Sequence, residues 1–179
     1  MTASPRPPGP RRAERDAELA EAIRLRERGD PASQEEARQR LLVLSRRWPE
    51  DAEVAYQTAW AHDVLEREAE AVPHYRRALA GDGLTPADRC EALLGLGSTY
   101  RVLGRYEEAE ATLREAVAEF PDHGGLRAFW AMALHNTGRY EESVRLLLEL
   151  VATTSEDPTV REFGRAIAYY AAYLGRTVD

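Results

Sequence analysis

The dipeptide His62-Asp63 is the stretch of this sequence most open to a catalytic reading. An imidazole beside a carboxylate can hold a divalent ion, and an ion so held can activate a water for phosphoester hydrolysis. That chemistry needs further histidines and aspartates converging on the metal. Here His74, His123 and His135 come singly, at no spacing that would bring them to one ion. No Ser-His-Asp or Cys-His grouping can be assembled either. The run "GLGSTYRVLG", residues 95–104, superficially resembles a phosphate loop. Its glycines lie within and at the end of a helical pattern, whereas a phosphate loop follows a strand and precedes a helix, so no nucleotide site is expected. The single cysteine, Cys90, has no second thiol for a disulfide, a zinc knuckle or a redox pair. The expectation is a protein without a catalytic set, a metal or a cofactor, with His62 and Cys90 as core residues.

The elements that must carry these residues are helices. The chain has 179 residues, 44% of them hydrophobic, enough for one domain with a substantial core. Ala, Leu, Glu and Arg dominate and β-branched residues are sparse, which favours an all-helical fold. No apolar run approaches the ~20 residues that span a bilayer, and the start "MTASPRPPGPRR" lacks the apolar stretch of a secretory signal. The expected location is the cytoplasm. Net charge is −7, and Arg6, Arg11 and Arg12 of the first twelve residues offset part of a still more acidic remainder. That balance argues against a nucleic-acid partner. No lysine occurs, a bias best read as GC-rich coding.

"LGRYEEAEATL", residues 103–113, returns as "TGRYEESVRLL", residues 137–147, with Gly104 and Gly138 34 residues apart. A fixed period of that length marks a repeat array. Around the first phrase, Leu93, Leu96, Gly97 and Tyr100 fall on one helical face, and Ala109, Leu113 and Ala116 on another. Thr85 reads as an N-cap with Pro86 in the first turn, Gly104 as the break, and Pro121 as the exit. The next copy places Trp130, Ala131, Leu134, Gly138, Tyr140, Ser143, Leu147 and Leu150 in step, with Arg127 where an apolar residue belongs. The preceding copy supplies Ala55, Ala59, His62, Ala71, Tyr75 and Ala78. There Glu66 replaces the breaker glycine, and the 38 residues from Ala71 to Ala109 imply a longer exit through "GDGLTP". The first copy is the most degenerate, with residues 18–29 joined through "GDPAS" to a helix carrying Ala37, Leu41, Leu44 and Pro49.

This pattern resembles the tetratricopeptide repeat, with Leu93-x-x-Leu96-Gly97-x-x-Tyr100, Gly104, Tyr106, Ala109-x-x-x-Leu113, Ala116 and Pro121 over one unit. The order of motifs is similar to short bacterial proteins made of the repeat domain alone. The resemblance implies an all-α, right-handed superhelical solenoid of about four helix-turn-helix repeats plus a C-terminal capping helix. Repeats are placed near 18–51, 52–89, 90–123 and 124–157, and the cap at 158–175. Residues 1–12 form a Pro/Arg-rich tail expected to be disordered, and 13–179 the repeat domain. Gly97 and Ala109 would let paired helices approach closely, and Tyr106 would wedge between units. Val160, Phe163, Ile167, Tyr170, Ala171 and Leu174 would cover the last repeat.

In that family the first helix of each repeat lines a concave groove that holds peptides. Projected here, the groove is Arg26, Tyr56, Trp60 and Asp63, then Leu94, Ser98 and Arg101, then Ala128, Met132, His135 and Asn136. Aromatic and thioether surface with an arginine suits a short apolar segment carrying an acidic group. The alternative for Tyr56, Trp60 and Met132 is packing against neighbouring helices. The family's two-carboxylate clamp for the carboxyl-terminal ends of partner proteins uses Lys and Asn. Ala22, Arg26, Gln57 and Arg101 stand at the corresponding places, so that clamp is not reproduced. The resemblance thus implies a non-catalytic scaffold for a protein or peptide partner, with no nucleic-acid or membrane partner. The alternative is a self-assembling subunit, a homodimer joined through the terminal helix with Tyr169, Tyr170 and Tyr173.

Overall fold

Stop and start signals divide the sequence into short amphipathic pieces, and each piece is a helix. The computed structural model describes residues 10–177. Among these lie nine helices and no strand: α1 Pro10–Glu27, α2 Pro31–Arg47, α3 Ala52–Asp63, α4 Glu68–Ala80, α5 Pro86–Val102, α6 Tyr106–Glu119, α7 Gly124–Asn136, α8 Tyr140–Thr154 and α9 Pro158–Ala171. The fold is an all-α repeat of helix-turn-helix hairpins followed by one last helix. Of the proline- and arginine-rich tail, residues 1–9 lie outside the described part, and Pro10, Arg11 and Arg12 open α1.

The helices divide into two compact units, the first ending at Arg89 and the second beginning at Cys90. In the first, α1 packs on α2 and α3, α2 on α3, and α3 on α4. Leu19, Ala22, Leu41, Leu44, Val54 and Ala61 form its apolar centre, with Ile23 and Trp48 packed against it. Asp30 caps α2 by accepting from the Ser33 N–H, with Pro31 next in line, and Asp51 caps α3 by accepting from Val54. The buried Arg15 ties α1 to that second cap, donating to Asp51 Oδ1 at 2.5 Å and Glu53 Oε2 at 2.7 Å. Burial alone would lower its pKa, but the hydrogen bonds to Asp51, Glu53 and Asp16 outweigh it and raise it.

In the second unit Gly97 is required by its partner. A Cβ there would lie 2.5 Å from Leu113 Cγ, so α5 and α6 approach over bare backbone. Farther on, α6 packs on α7, α7 on α8 and α8 on α9. Ser143 Oγ donates to the Ala131 carbonyl at 2.6 Å, and Ala131, Leu134 and Leu146 are packed with Trp130. Arg127, at a position where the repeat calls for an apolar side chain, reaches Glu149 at 3.8 Å. Tyr106, expected to wedge between units, opens α6 and keeps 37% of its surface exposed.

Three hairpin turns share one geometry. Gly104 and Gly138 adopt φ of 73° and 80°, and Glu66 takes the same left-handed conformation at 56°. The residue after each closes the turn on the helix just ended: Arg67 N to His62 O, Arg105 N to Tyr100 O, Arg139 N to Leu134 O. The turn is therefore imposed by the hairpin, and at Glu66 a side chain is strained into it.

The last helix departs from the expected cap. Val160, Gly164, Ile167 and Ala171 face α8: a Cβ on Gly164 would sit 3.4 Å from the Ala152 carbonyl, and Ala171 is fully covered. Phe163, Tyr170 and Leu174, expected on the same covering face, stay exposed at 58%, 65% and 41%. Phe163 and Tyr170 lie on the flank of that face, about 80° round the helix from the centre of the smaller set, and Leu174 lies past the end of α9, so the covering role falls to the smaller residues.

Candidate functional site

The first-unit set is built on α1 and α3, which lie side by side. Arg26, in the last turn of α1, is only 5% exposed. Its guanidinium carbon sits 3.7 Å above the Trp60 ring centroid, and Nη1 donates to Gln57 Oε1. Among the described residues no carboxylate comes within ion-pair distance of it. Burial accordingly pushes its pKa below the usual arginine value, partly opposed by the charges of Tyr56, Glu27 and Tyr75. Trp60 is 39% exposed, while Tyr56 lies beneath it at 3%, their ring centroids 5.8 Å apart. Tyr56 therefore supports the wall and does not present a surface. Asp63 accepts a hydrogen bond from the Tyr75 hydroxyl of α4 at 2.6 Å, so its carboxylate is engaged within the α3–α4 hairpin.

The second-unit set lies on α5 and α7. Leu94, Ser98 and Arg101 follow one face of α5, half-buried, and Arg101 Nε is buried without a hydrogen-bond partner. Leu94 reaches α7, since a Cβ on Gly125 would lie 3.7 Å from its Cδ1. On α7, Ala128 and Asn136 are half-buried, and Met132 and His135 are exposed. Asn136 Oδ1 is buried with no partner, and the His135 ring meets the edge of Tyr140 at 5.0 Å.

Gln57 and Tyr75, which the sequence places at a clamp position and in the repeat pattern, are not among the projected groove residues, yet both join the site. Gln57 sits three residues before Trp60 on α3, a spacing that could have placed it beside the Arg26 contact. Tyr75 is on the other arm of the hairpin, twelve residues from Asp63, where the repeat pattern marks it as a packing position and nothing local ties it to Asp63. The buried Glu110 reads in the sequence as one more member of an acidic run. It accepts from Thr137 Oγ1 at 2.8 Å and from Arg139, fastening α6 to the α7–α8 turn.

His62 is 2% exposed, its Nδ1 2.8 Å from the Thr58 carbonyl, and its ring stacks on His74 at 5.2 Å. Burial lowers its pKa against the hydrogen bond to that carbonyl. Burial, then His62 and Arg77, push that of His74 down to about 4. Among the described residues no three of His, Cys, Asp and Glu gather as metal ligands, and no helix is long and apolar enough to cross a membrane.

A search among curated proteins finds no match. The Tetratrico peptide repeat family model matches residues 52–174. Members of this family are typically non-catalytic and serve as scaffolds for other proteins. With helical hairpins turning at Glu66, Gly104 and Gly138 and a match over well more than half its length, the chain belongs to the tetratricopeptide repeat family.

Proposed function

We propose that this scaffold binds a polypeptide segment on its α1–α3 wall, without catalysis, through an acidic group held by Arg26 and an apolar side chain laid on Trp60. The observation that carries this reading is the Arg26 guanidinium, buried on an exposed indole with no carboxylate at ion-pair distance among the described residues. A buried arginine short of a counter-charge gains from an incoming carboxylate, a charge-assisted hydrogen bond being worth ~1.5–3 kcal/mol. Tyr56 and Gln57 hold the two contact residues in place. Arg101, Met132, His135 and Asn136 offer surface of similar chemistry in the second unit. For one short peptide the affinity is in the micromolar range, on the order of −8 kcal/mol. The buried lone thiol of Cys90 suits a reducing, cytoplasmic setting.

Selection from a random peptide library, followed by titration of the Trp60 fluorescence, tests the reading. Peptides pairing an acidic residue with an apolar one are expected, and Arg26→Gln should weaken them about tenfold. Enrichment of peptides with no acidic residue, or equal binding by the variant, overturns it.

A second reading, self-assembly, rests on a different observation. Phe163, Tyr169 and Tyr170 of α9 are each more than half exposed, an unusual aromatic surface for a protein that stays single. Light scattering of the full-length protein against residues 1–157 tests it, and a full-length protein that stays monomeric at every concentration removes it.

A further inference from the structure

The exposed side of α9 has a shape and a charge order that choose their own partner. Thr159, Glu162, Phe163, Ala166, Tyr169, Tyr170 and Tyr173 recur three and four residues apart, and every one is exposed. They form a stripe separate from the Val160, Gly164, Ile167 and Ala171 stripe that faces α8. Within it large residues flank a small one, with Ala166 between Phe163 and Tyr170. The Tyr169 and Tyr170 rings lie 5.5 Å apart, those of Tyr169 and Tyr173 5.1 Å, and the Arg176 guanidinium rests on Tyr173 at 4.7 Å. The stripe thus has a carboxylate, Glu162, near its start and a cation, Arg176, at its end. Tyr173 and Arg176 lie in the turn that follows α9, where the Tyr173 N–H bonds the Tyr170 carbonyl and the Arg176 N–H the Tyr173 carbonyl.

Building on the self-assembly reading, we propose that two copies of the protein pair through α9 in antiparallel fashion about a two-fold axis near residue 168. Tyr170 of each copy packs over Ala166 of the other, and Phe163 meets Tyr173. A two-fold contact must be self-complementary, and a stripe with one small residue between aromatic ones satisfies that when reversed on itself. Antiparallel pairing runs Glu162 of one copy toward the turn past α9 that carries Arg176 of the other, at both ends. Parallel pairing would set Glu162 against Glu162 and Arg165 against Arg165. The aromatic residues supply on the order of 500 Å² of apolar surface per copy, and the flanking residues bring the contact toward the size of specific interfaces.

Sedimentation equilibrium of the full-length protein, with Tyr170→Glu, Glu162→Arg, Arg176→Glu and the double charge reversal, tests the proposal. Dimerisation in the micromolar range is expected, weakened more than a hundredfold by Tyr170→Glu and about tenfold by either single reversal, and restored in the double variant. A wild type that is monomeric throughout removes the self-assembly reading and this inference with it. A dimer indifferent to Tyr170→Glu, or one in which the two charge reversals add without compensation, leaves self-assembly standing and overturns the antiparallel α9 contact.

Discussion

Helices α3 and α9 are alike in length and in apolar content and opposite in burial. Nine of the twelve residues of α3 are buried, whereas Ala171 alone is buried on α9. The difference lies in neighbours. Helix α3 has α1, α2 and α4 against it, and α9 packs on α8. A repeat array completes each member's core with the next member, and among the described residues α8 is the one helix packed on α9. The same array explains why Tyr56 and Tyr170, both aromatic residues on amphipathic helices, do different things: one is a floor and the other a surface.

The comparison is broken most directly at those two tyrosines. Tyr56→Ala is expected to cost about 3–5 kcal/mol in urea unfolding, and Tyr170→Ala, measured in the monomer, to stay within about 0.5 kcal/mol. Equal losses would show that α9 is as fully packed as α3. Glycines sharpen the same contrast in the second unit. Gly97→Ala should lose about 1–3 kcal/mol because the methyl meets Leu113. Gly164→Ala, at ordinary contact distance from a carbonyl, should be neutral or gain up to about 1 kcal/mol from helix propensity. Denaturation midpoints that fall equally in both would refute the packing assigned to α9.

The hairpin turns predict a smaller effect of opposite sign. Glu66→Gly relieves a left-handed side chain and should stabilise by about 1 kcal/mol, while Gly104→Ala should lose a similar amount. A destabilised Glu66→Gly would mean that Glu66 contributes more through its carboxylate than its strain costs.

The smallest effect at neutral pH concerns the stacked histidines, which have no counterpart on α9. Their folded pKa values lie below the ordinary 6.5, that of His74 at about 4. The unfolded state therefore takes up more protons as the solution is acidified. Their contribution to stability is complete above pH 6.5 and is lost as pH falls toward 4. Glu70, 3.7 Å from His62, and the nearby Arg38, Arg67 and Arg77 oppose one another there. Urea midpoints compared between about pH 7 and about pH 4.5 should fall less in His74→Gln than in the wild type, and an identical fall would contradict the assignment.

Much of the hairpin architecture is legible residue by residue. Thr85 caps α5 by accepting from the Asp88 N–H at 3.0 Å. Pro121 follows the end of α6, Gly104 and Gly138 make the left-handed turns, and Gly97 takes the close approach. Each of these is a local steric or hydrogen-bonding demand that one residue type meets, so its position in the sequence suffices. The candidate wall was legible as a list of helix faces and illegible as a surface. Helical periodicity tells which residues share a side, but not that Tyr56 lies under Trp60, that Tyr75 engages Asp63 from another helix, or that Arg26 is buried with no counter-charge among the described residues.

The order of helices, their ends, their turns and membership in a repeat family are thus written in the sequence, because they follow from contacts within a few residues. Which aromatic becomes floor and which becomes surface, which charge is matched and which is left wanting, was settled by packing between helices. Burial belongs to the neighbours a side chain meets, and those neighbours come from distant stretches of the sequence.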